Sequence, residues 1–136
     1  MSNIASRWAA LAPQLLSILR IVSALMFLQA GTMKLFGWPI GMPGGATVSL
    51  TSQVGIGGIL EAVGGVLLLV GLFTRPAAFI LSGEMAVAYF QFHYPQGFWP
   101  IVNQGQPAVL YCFIWLYFSA AGPGPWSLDA LLRRKR

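Results

Sequence analysis

Three ionisable side chains lie inside long apolar stretches of this chain, where such groups are rare. Glu61 lies within residues 54–73, Glu84 lies within residues 77–94, and Arg20 lies inside the first apolar run. A carboxylate in apolar surroundings is costly unless it is neutral, paired with a cation or in contact with a wet cavity. Carboxylates that face a guanidinium inside a membrane protein can serve as a proton-accepting site. We therefore take Glu61, Glu84 and Arg20 as the candidate catalytic residues.

The residues around Glu61 indicate where this carboxylate points. Its neighbours three and four positions away share its face of a helix, and all four are glycine: Gly57, Gly58, Gly64 and Gly65. Small residues on a membrane helix allow another backbone to approach closely. Glu61 is therefore predicted to point into a contact between helices.

The depths of the charged groups predict which of them pair. Counted at about 1.5 Å per residue from the predicted cytoplasmic end of each helix, Arg20 lies ~9 Å deep, Glu84 ~12 Å and Glu61 ~18 Å. Arg20 and Glu84 are thus predicted to form an ion pair if their helices touch. Such a pair can take part in proton transfer, or it can have a purely structural role and fix the register of the helices. The sequence leaves both interpretations open.

A second polar cluster lies near the other ends of the helices, among aromatic residues. Its members are Lys34, His93, Tyr94, Asn103, Gln104 and Gln106, interleaved with Phe90, Phe92, Phe98 and Trp99. Aromatic walls with a few hydrogen-bond donors are typical of a pocket for a flat ligand such as a quinone head group. On that interpretation His93, Lys34 and Trp99 bind the cofactor. Interfacial aromatic residues, with Lys34 extended toward water, produce the same pattern without a ligand.

Several classes of function are excluded or disfavoured. Cys112 is the only cysteine, so the chain alone forms neither a disulfide nor a CxxC redox pair. No G-x-S-x-G, P-loop or HExxH motif occurs, and Glu61, Glu84 and His93 lie at three different depths, which disfavours a compact metal site. Four of the eight basic residues form the run 133–136. That run is typical of a membrane flank and not of a nucleic-acid-binding face.

The composition predicts a membrane protein. Of the 136 residues, 57% are hydrophobic and 8% are charged, whereas soluble domains carry about 25% charged residues. Apolar runs at 14–36, 54–73, 76–94 and 107–121 are predicted to be four transmembrane helices, although the fourth is short. The fold class is therefore an all-α polytopic membrane protein, an antiparallel bundle of four transmembrane helices, in a single domain over residues 1–136.

Basic residues predict the orientation of this bundle. Arg7, Arg75 and the run 133–136 fall on one side, so the positive-inside rule places both termini in the cytoplasm. We expect the first helix to be retained and not cleaved as a signal peptide, because Arg20 interrupts its apolar core. The outer loops are rich in glycine and proline, and they either fold back over the helices or act as plain linkers. Residues 127–133 are predicted to form a short amphipathic segment at the inner surface.

Motifs along the chain resemble those of the DoxX family of small bacterial four-helix membrane proteins. They are Arg20 with the stretch 31–38 (GTMKLFGW), 57–65 (GGILEAVGG), 71–75 (GLFTR), Glu84-Met85, 93–98 (HYPQGF) and 122–129 (GPGPWSLD). The resemblance covers residues 16–132 and implies a redox setting in the bacterial inner membrane. Many relatives have a glutamate at the start of the fourth helix, where this chain has Gln106. The thiol-redox relatives in the wider superfamily carry paired cysteines that this chain lacks.

The residues and the resemblance together leave three hypotheses. The first is a quinone-linked membrane oxidoreductase component, with a quinone as the candidate cofactor and Glu61 or Glu84 passing protons. The second is a non-catalytic subunit that anchors a larger membrane complex through its fourth helix, or a homo-oligomer. The third is a small proton-coupled transporter, which is disfavoured because no pair of broken helices is evident.

Overall fold

The computed structural model describes residues 3–135, and within this range the secondary structure is helical, without a β-strand. The helices are α1 (Ile4–Ala9), α2 (Ala12–Phe36), α3 (Gln53–Val70), α4 (Thr74–Ala88), α5 (Pro100–Asn103), α6 (Gln106–Ala121) and α7 (Leu128–Arg134). A π-helical turn, Tyr89–His93, continues α4. The four long apolar runs of the sequence correspond to α2, α3, α4 with its π-helical turn, and α6. Arg136, the last member of the predicted basic run, lies outside the described residues.

The ends of the long helices follow from local sequence. Ser52 caps α3, because its hydroxyl accepts a hydrogen bond from the backbone N–H of Gly55, as N-cap residues do. Proline occupies the first turn of α2 and of α6, where its missing N–H has no helical partner to lose. Gly71 ends α3 with φ of +70°, a left-handed conformation that glycine adopts without steric cost.

The long helices associate as two pairs. Helix α2 packs along α3 and α4 packs along α6, while α3 contacts α4 over a smaller area. Glycine brings α2 and α3 together: a Cβ atom on Gly31 would lie 2.6 Å from the backbone nitrogen of Ala62. On α3, Gly58 faces Lys34 and Gly64 faces Leu81 of α4. The glycine pattern predicted a close helix contact on this face, and α3 in fact uses its small residues against two different helices.

The interior between the pairs is filled mainly by aromatic side chains. Phe27 of α2 packs edge-on against Trp115 of α6, with ring centroids 5.6 Å apart, and both are buried. Large apolar residues cover the outside of the same helices, including Val22, Val63, Phe79 and Phe113, each at least half exposed. Within the described residues α2 and α3 are long and apolar enough to cross a membrane, whereas α6 has 16 residues.

Arg20 anchors the C-terminal segment and does not pair with Glu84. Its fully buried guanidinium donates to three backbone carbonyl oxygens: Leu68 at 2.8 Å, Trp126 at 2.7 Å and Pro123. The predicted Arg20–Glu84 ion pair is therefore wrong. Helix α2 begins at Ala12, so its first eight residues, about 12 Å of helix, extend beyond the α3–α4 turn and Arg20 lies level with that turn. The depths predicted from the sequence assumed that all helices begin at the same level, which is not the case.

Asp129 completes the attachment of the C-terminal segment. Its carboxylate oxygens accept hydrogen bonds from the backbone N–H groups of Phe73 and Thr74, at 2.9 and 3.0 Å, and so cap the start of α4. Ser127 caps α7 by accepting from the N–H of Ala130. The short helix expected at 127–133 is thus present as α7, held against the α3–α4 turn. We call Arg20, Asp129 and their hydrogen bonds the C-terminal clamp.

Candidate functional site

The centre of the candidate site is an ion pair between Lys34 and Glu61. The Lys34 ammonium donates to both carboxylate oxygens of Glu61, at 2.7 and 2.6 Å. The Glu61 side chain is 3% exposed and the Lys34 side chain 21% exposed. The residue of α3 that faces Lys34 is Gly58, which has no side chain. The last turn of α2 can therefore approach α3 closely enough for Lys34 to reach Glu61. The alternative in which Lys34 extends toward water is therefore wrong.

Glu84 of α4 lies beside this pair. A Cβ atom on Gly57 would lie 3.2 Å from Glu84 Oε1, so the carboxyl group rests against the glycine face of α3. The other oxygen, Oε2, is buried, and no N–H or O–H group of residues 3–135 donates a hydrogen bond to it. The charged neighbours of Glu84 are Glu61 and Lys34. A buried polar atom without a partner is uncommon and points to a bound ligand, a water molecule or a proton-transfer role.

The structure separates the residues that the sequence analysis grouped as catalytic. Glu61 and Glu84 lie together. Arg20 is distant from them, because it contacts Leu68 of α3, whereas Glu84 contacts Gly57 of the same helix. These two α3 positions are eleven residues apart, about 16 Å along the helix axis. Arg20 is therefore part of the C-terminal clamp, and Lys34 is the cation that the structure places with the two carboxylates.

A cavity of about 370 Å³ lies between the α2–α3 pair and the α4–α6 pair, next to these charges. Its polar lining comes from Lys34, Gln53, Glu61, Glu84, His93 and Tyr111, and its apolar lining includes Phe27, Val54, Met85, Phe92 and Ala108. This size and this mixture of apolar walls with a few polar groups are typical of small-molecule sites. Met42 also lines the cavity, so the loop between α2 and α3 folds back over the helices.

His93 reaches the cavity from the π-helical turn that follows α4. Its Nδ1 atom lies 3.0 Å from the backbone oxygen of Asn103. Because a carbonyl oxygen only accepts hydrogen bonds, Nδ1 is the donor in this contact. Short π-helical turns within α-helices occur frequently at functional sites, because the extra residue changes the direction in which side chains point.

Asn103 and Tyr89 hold the loop beside His93 in place. The Asn103 side chain donates to Gly97 O at 2.7 Å and to the Tyr89 hydroxyl at 3.2 Å, and it accepts from Gly105 N at 2.8 Å. The Tyr89 hydroxyl donates to Phe98 O. The loop after α4 is therefore packed against the helices and is not a plain linker.

The structure divides the predicted cofactor-binding residues. His93 and Lys34 line the cavity, whereas Trp99 is 67% exposed and lines a surface groove with Ile101 and Leu110. Sequence reasoning missed Gln53 and Tyr111 as cavity residues. Gln53 lies at the start of α3 and donates from its amide to Gln91, but an isolated glutamine at a helix start carries no recognisable signal. No group of three or more His, Cys, Asp and Glu residues is close enough to hold a metal ion within residues 3–135.

The all-helical structure of residues 3–135, its apolar exterior and its two helices of membrane-spanning length fit the class of membrane proteins. The particular family is DoxX: its family model matches residues 15–94, and this chain belongs to that family. The match includes Lys34, Glu61, Glu84 and His93, and it confirms the resemblance seen in the sequence. The prediction of one membrane domain over residues 1–136 stays a prediction.

Two relatives show how far the similarity extends. An uncharacterized protein of Haemophilus influenzae is 48% identical over 120 residues, covering 86% of this chain and 90% of the relative. An uncharacterized membrane protein of Mycobacterium tuberculosis is 28% identical over 137 residues, covering 86% of this chain and 80% of the relative. No solved structure matches the chain.

Proposed function

We propose that the chain is a quinone-binding component of a redox system in the bacterial inner membrane, spanning the bilayer four times with both termini in the cytoplasm. Helices α2 and α3 are long enough to cross, and α4 with its π-helical turn extends the third apolar helix to His93. The exposed apolar side chains around the helices suit contact with lipid. The basic residues Arg7, Arg75 and Arg133 support the orientation.

The observation that carries the proposal is the buried Oε2 atom of Glu84, to which no donor among residues 3–135 is bonded, next to the Lys34–Glu61 pair in a cavity with aromatic walls. An ammonium group has three N–H donors, and Lys34 uses two of them on Glu61. The third can donate to a quinone carbonyl oxygen, and the neighbouring carboxyl group of Glu84 can exchange a proton with it. Phe27 and Phe92 supply apolar surfaces for the ring.

The proposed chemistry divides electrons and protons between two sources. Reduction of a quinone to a quinol takes two electrons and two protons. Glu61 and Glu84 relay the protons to the quinone oxygens, and a redox partner protein supplies the electrons. The chain thus binds the quinone head group and delivers protons to it.

Two phenylalanines on the π-helical turn, Phe90 and Phe92, provide a matched test. Phe92 lines the cavity, whereas Phe90 is 61% exposed and packs against Tyr89 and Tyr94 outside it. We expect Phe92→Ala to weaken binding of a short-chain quinone to the purified full chain by about tenfold, the loss typical of a truncated aromatic contact. Phe90→Ala is expected to leave the affinity unchanged. Equal affinities in the two variants, or no measurable binding by the unaltered chain, would contradict the proposal.

The exposed face of α6 supports a second candidate, a subunit that anchors a larger complex. Leu110, Phe113 and Tyr117 share one side of this helix, and each is at least 60% exposed. A large apolar and aromatic surface of this kind suits contact with another membrane helix. Purification in mild detergent tests this candidate, because a partner subunit should be retained by the unaltered chain and lost from Phe113→Ala. A chain that stays solitary in every mild detergent would count against it.

A further inference from the structure

A groove of about 350 Å³ between the start of α4 and α7 lies apart from the cavity, beside the C-terminal clamp. We propose that this groove binds the phosphodiester group of an anionic phospholipid. Arg75 and Arg133 line it together with Leu72, Pro76 and Leu132. The inference does not depend on quinone binding, because none of these residues lines the cavity near Lys34.

The two arginines of the groove are available to an anion. Both are exposed, and Arg75 donates one hydrogen bond, to the backbone oxygen of Ala120 at 2.7 Å, leaving further N–H donors free. Asp129 also lines the groove, but its two oxygens accept from the backbone at the start of α4. In the part of the chain that the structure describes, the ion pair is Lys34–Glu61, so neither arginine forms a salt bridge with a carboxylate there. Guanidinium groups match the geometry of phosphate oxygens.

The apolar part of the groove selects a lipid over a soluble anion. Leu72, Pro76 and Leu132 lie beside the arginines, and α7 exposes Leu128, Leu131 and Leu132 by 40, 47 and 52%. A basic and apolar surface at the end of membrane helices suits an amphiphile, whose headgroup meets the arginines while its acyl chain covers the leucines. A nucleic acid or an acidic soluble protein would leave these leucines in water.

The groove is held open before any lipid binds. Asp129 attaches α7 to the first residues of α4, and Arg20 fixes the preceding chain through Pro123 and Trp126. Arg133 therefore has a fixed position relative to Arg75, and binding does not require α7 to fold. A preformed site loses less conformational entropy when its ligand binds.

Lipid retention by the purified full chain tests the inference. The chain is placed in nanodiscs that contain phosphatidylglycerol and phosphatidylcholine, and the lipids that stay bound are counted by native mass spectrometry. We expect phosphatidylglycerol to be retained preferentially. Arg75→Gln and Arg133→Gln should each reduce that preference by about tenfold, the loss expected when a charge-assisted hydrogen bond between a guanidinium and a phosphate is removed.

Arg7→Gln is the matched control, because it removes the same charge from exposed helix α1, outside the groove. It should leave the preference unchanged. Equal loss in all three variants would overturn the inference in favour of general attraction to a charged surface. Displacement of phosphatidylglycerol by millimolar inorganic phosphate would overturn it in favour of a free-phosphate site. Unaltered quinone binding in the groove variants would show that the two sites are independent.

Discussion

Removal of the Lys34 ammonium is the sharpest test of the buried ion pair. In Lys34→Met, the Glu61 carboxylate would stay at 3% exposure but would lose both hydrogen bonds that the ammonium donates. Removing one partner of a buried pair costs about 3–5 kcal/mol, because it leaves an uncompensated charge in apolar surroundings. We expect the free energy of unfolding of this variant to fall by that amount.

The double variant Lys34→Met with Glu61→Gln should recover most of this loss. It places two neutral side chains in the same volume, and replacement of both partners of a buried pair by neutral groups is often close to neutral. Glu61→Gln alone should cost less than Lys34→Met alone. The reason is that the Lys34 side chain, which is 21% exposed, can turn toward solvent or headgroups.

Unfolding in mixed detergent micelles measures these differences. Sodium dodecyl sulfate is titrated against a mild detergent, and helix content is followed by circular dichroism. Lys135→Met, which removes an exposed ammonium at the end of the described chain, is the control and should change stability by less than about 0.5 kcal/mol. If the two single substitutions add to within about 0.5 kcal/mol in the double variant, the reasoning that makes Lys34 and Glu61 a coupled buried pair is refuted.

Two further predictions concern the C-terminal clamp and the contact between α2 and α3. Arg20→Met should destabilise the chain by about 3 kcal/mol, because buried carbonyl oxygens lose their donor. The substitution should also release α7, which would be measured as faster trypsin cleavage at the basic C-terminus. Unchanged cleavage would contradict the role of Arg20 in the C-terminal clamp. Gly31→Ala should destabilise by about 1–3 kcal/mol through overpacking against Ala62. Gly83→Ala, where the added Cβ atom meets open space, should stabilise α4 by about 0.5–1 kcal/mol. Equal effects of the two glycine substitutions in detergent unfolding would contradict the close contact of α2 with α3.

The start of the fourth helix lies apart from the cavity charges. Gln106, at the position where the family resemblance implies a glutamate in many relatives, lies at the start of α6 in the surface groove that contains Trp99. The cavity carboxylates come from Glu61 of α3 and Glu84 of α4. A carboxylate at position 106 is therefore not required to build the Lys34–Glu61–Glu84 cluster.

The sequence by itself determined the helices and the burial of Glu61. Four apolar runs, three of them with proline near their starts and several with glycine at their ends, predict the long helices, because these signals act over a few neighbouring residues. The four glycines around Glu61 predict a close helix contact, because they lie on one face at helical spacing. Local periodicity therefore sufficed to place this carboxylate inside the protein.

Only the tertiary structure decided which charges meet. The axial offset of α2 puts Arg20 level with the α3–α4 turn, where it binds carbonyl oxygens of the C-terminal segment. The same offset brings Lys34, near the other end of α2, to Glu61. Residue counts along separate helices contain no information about their relative translation, since that depends on how side chains of distant segments pack. The pairing of charges, and with it the cavity beside Glu84, thus followed from packing that no local pattern encodes.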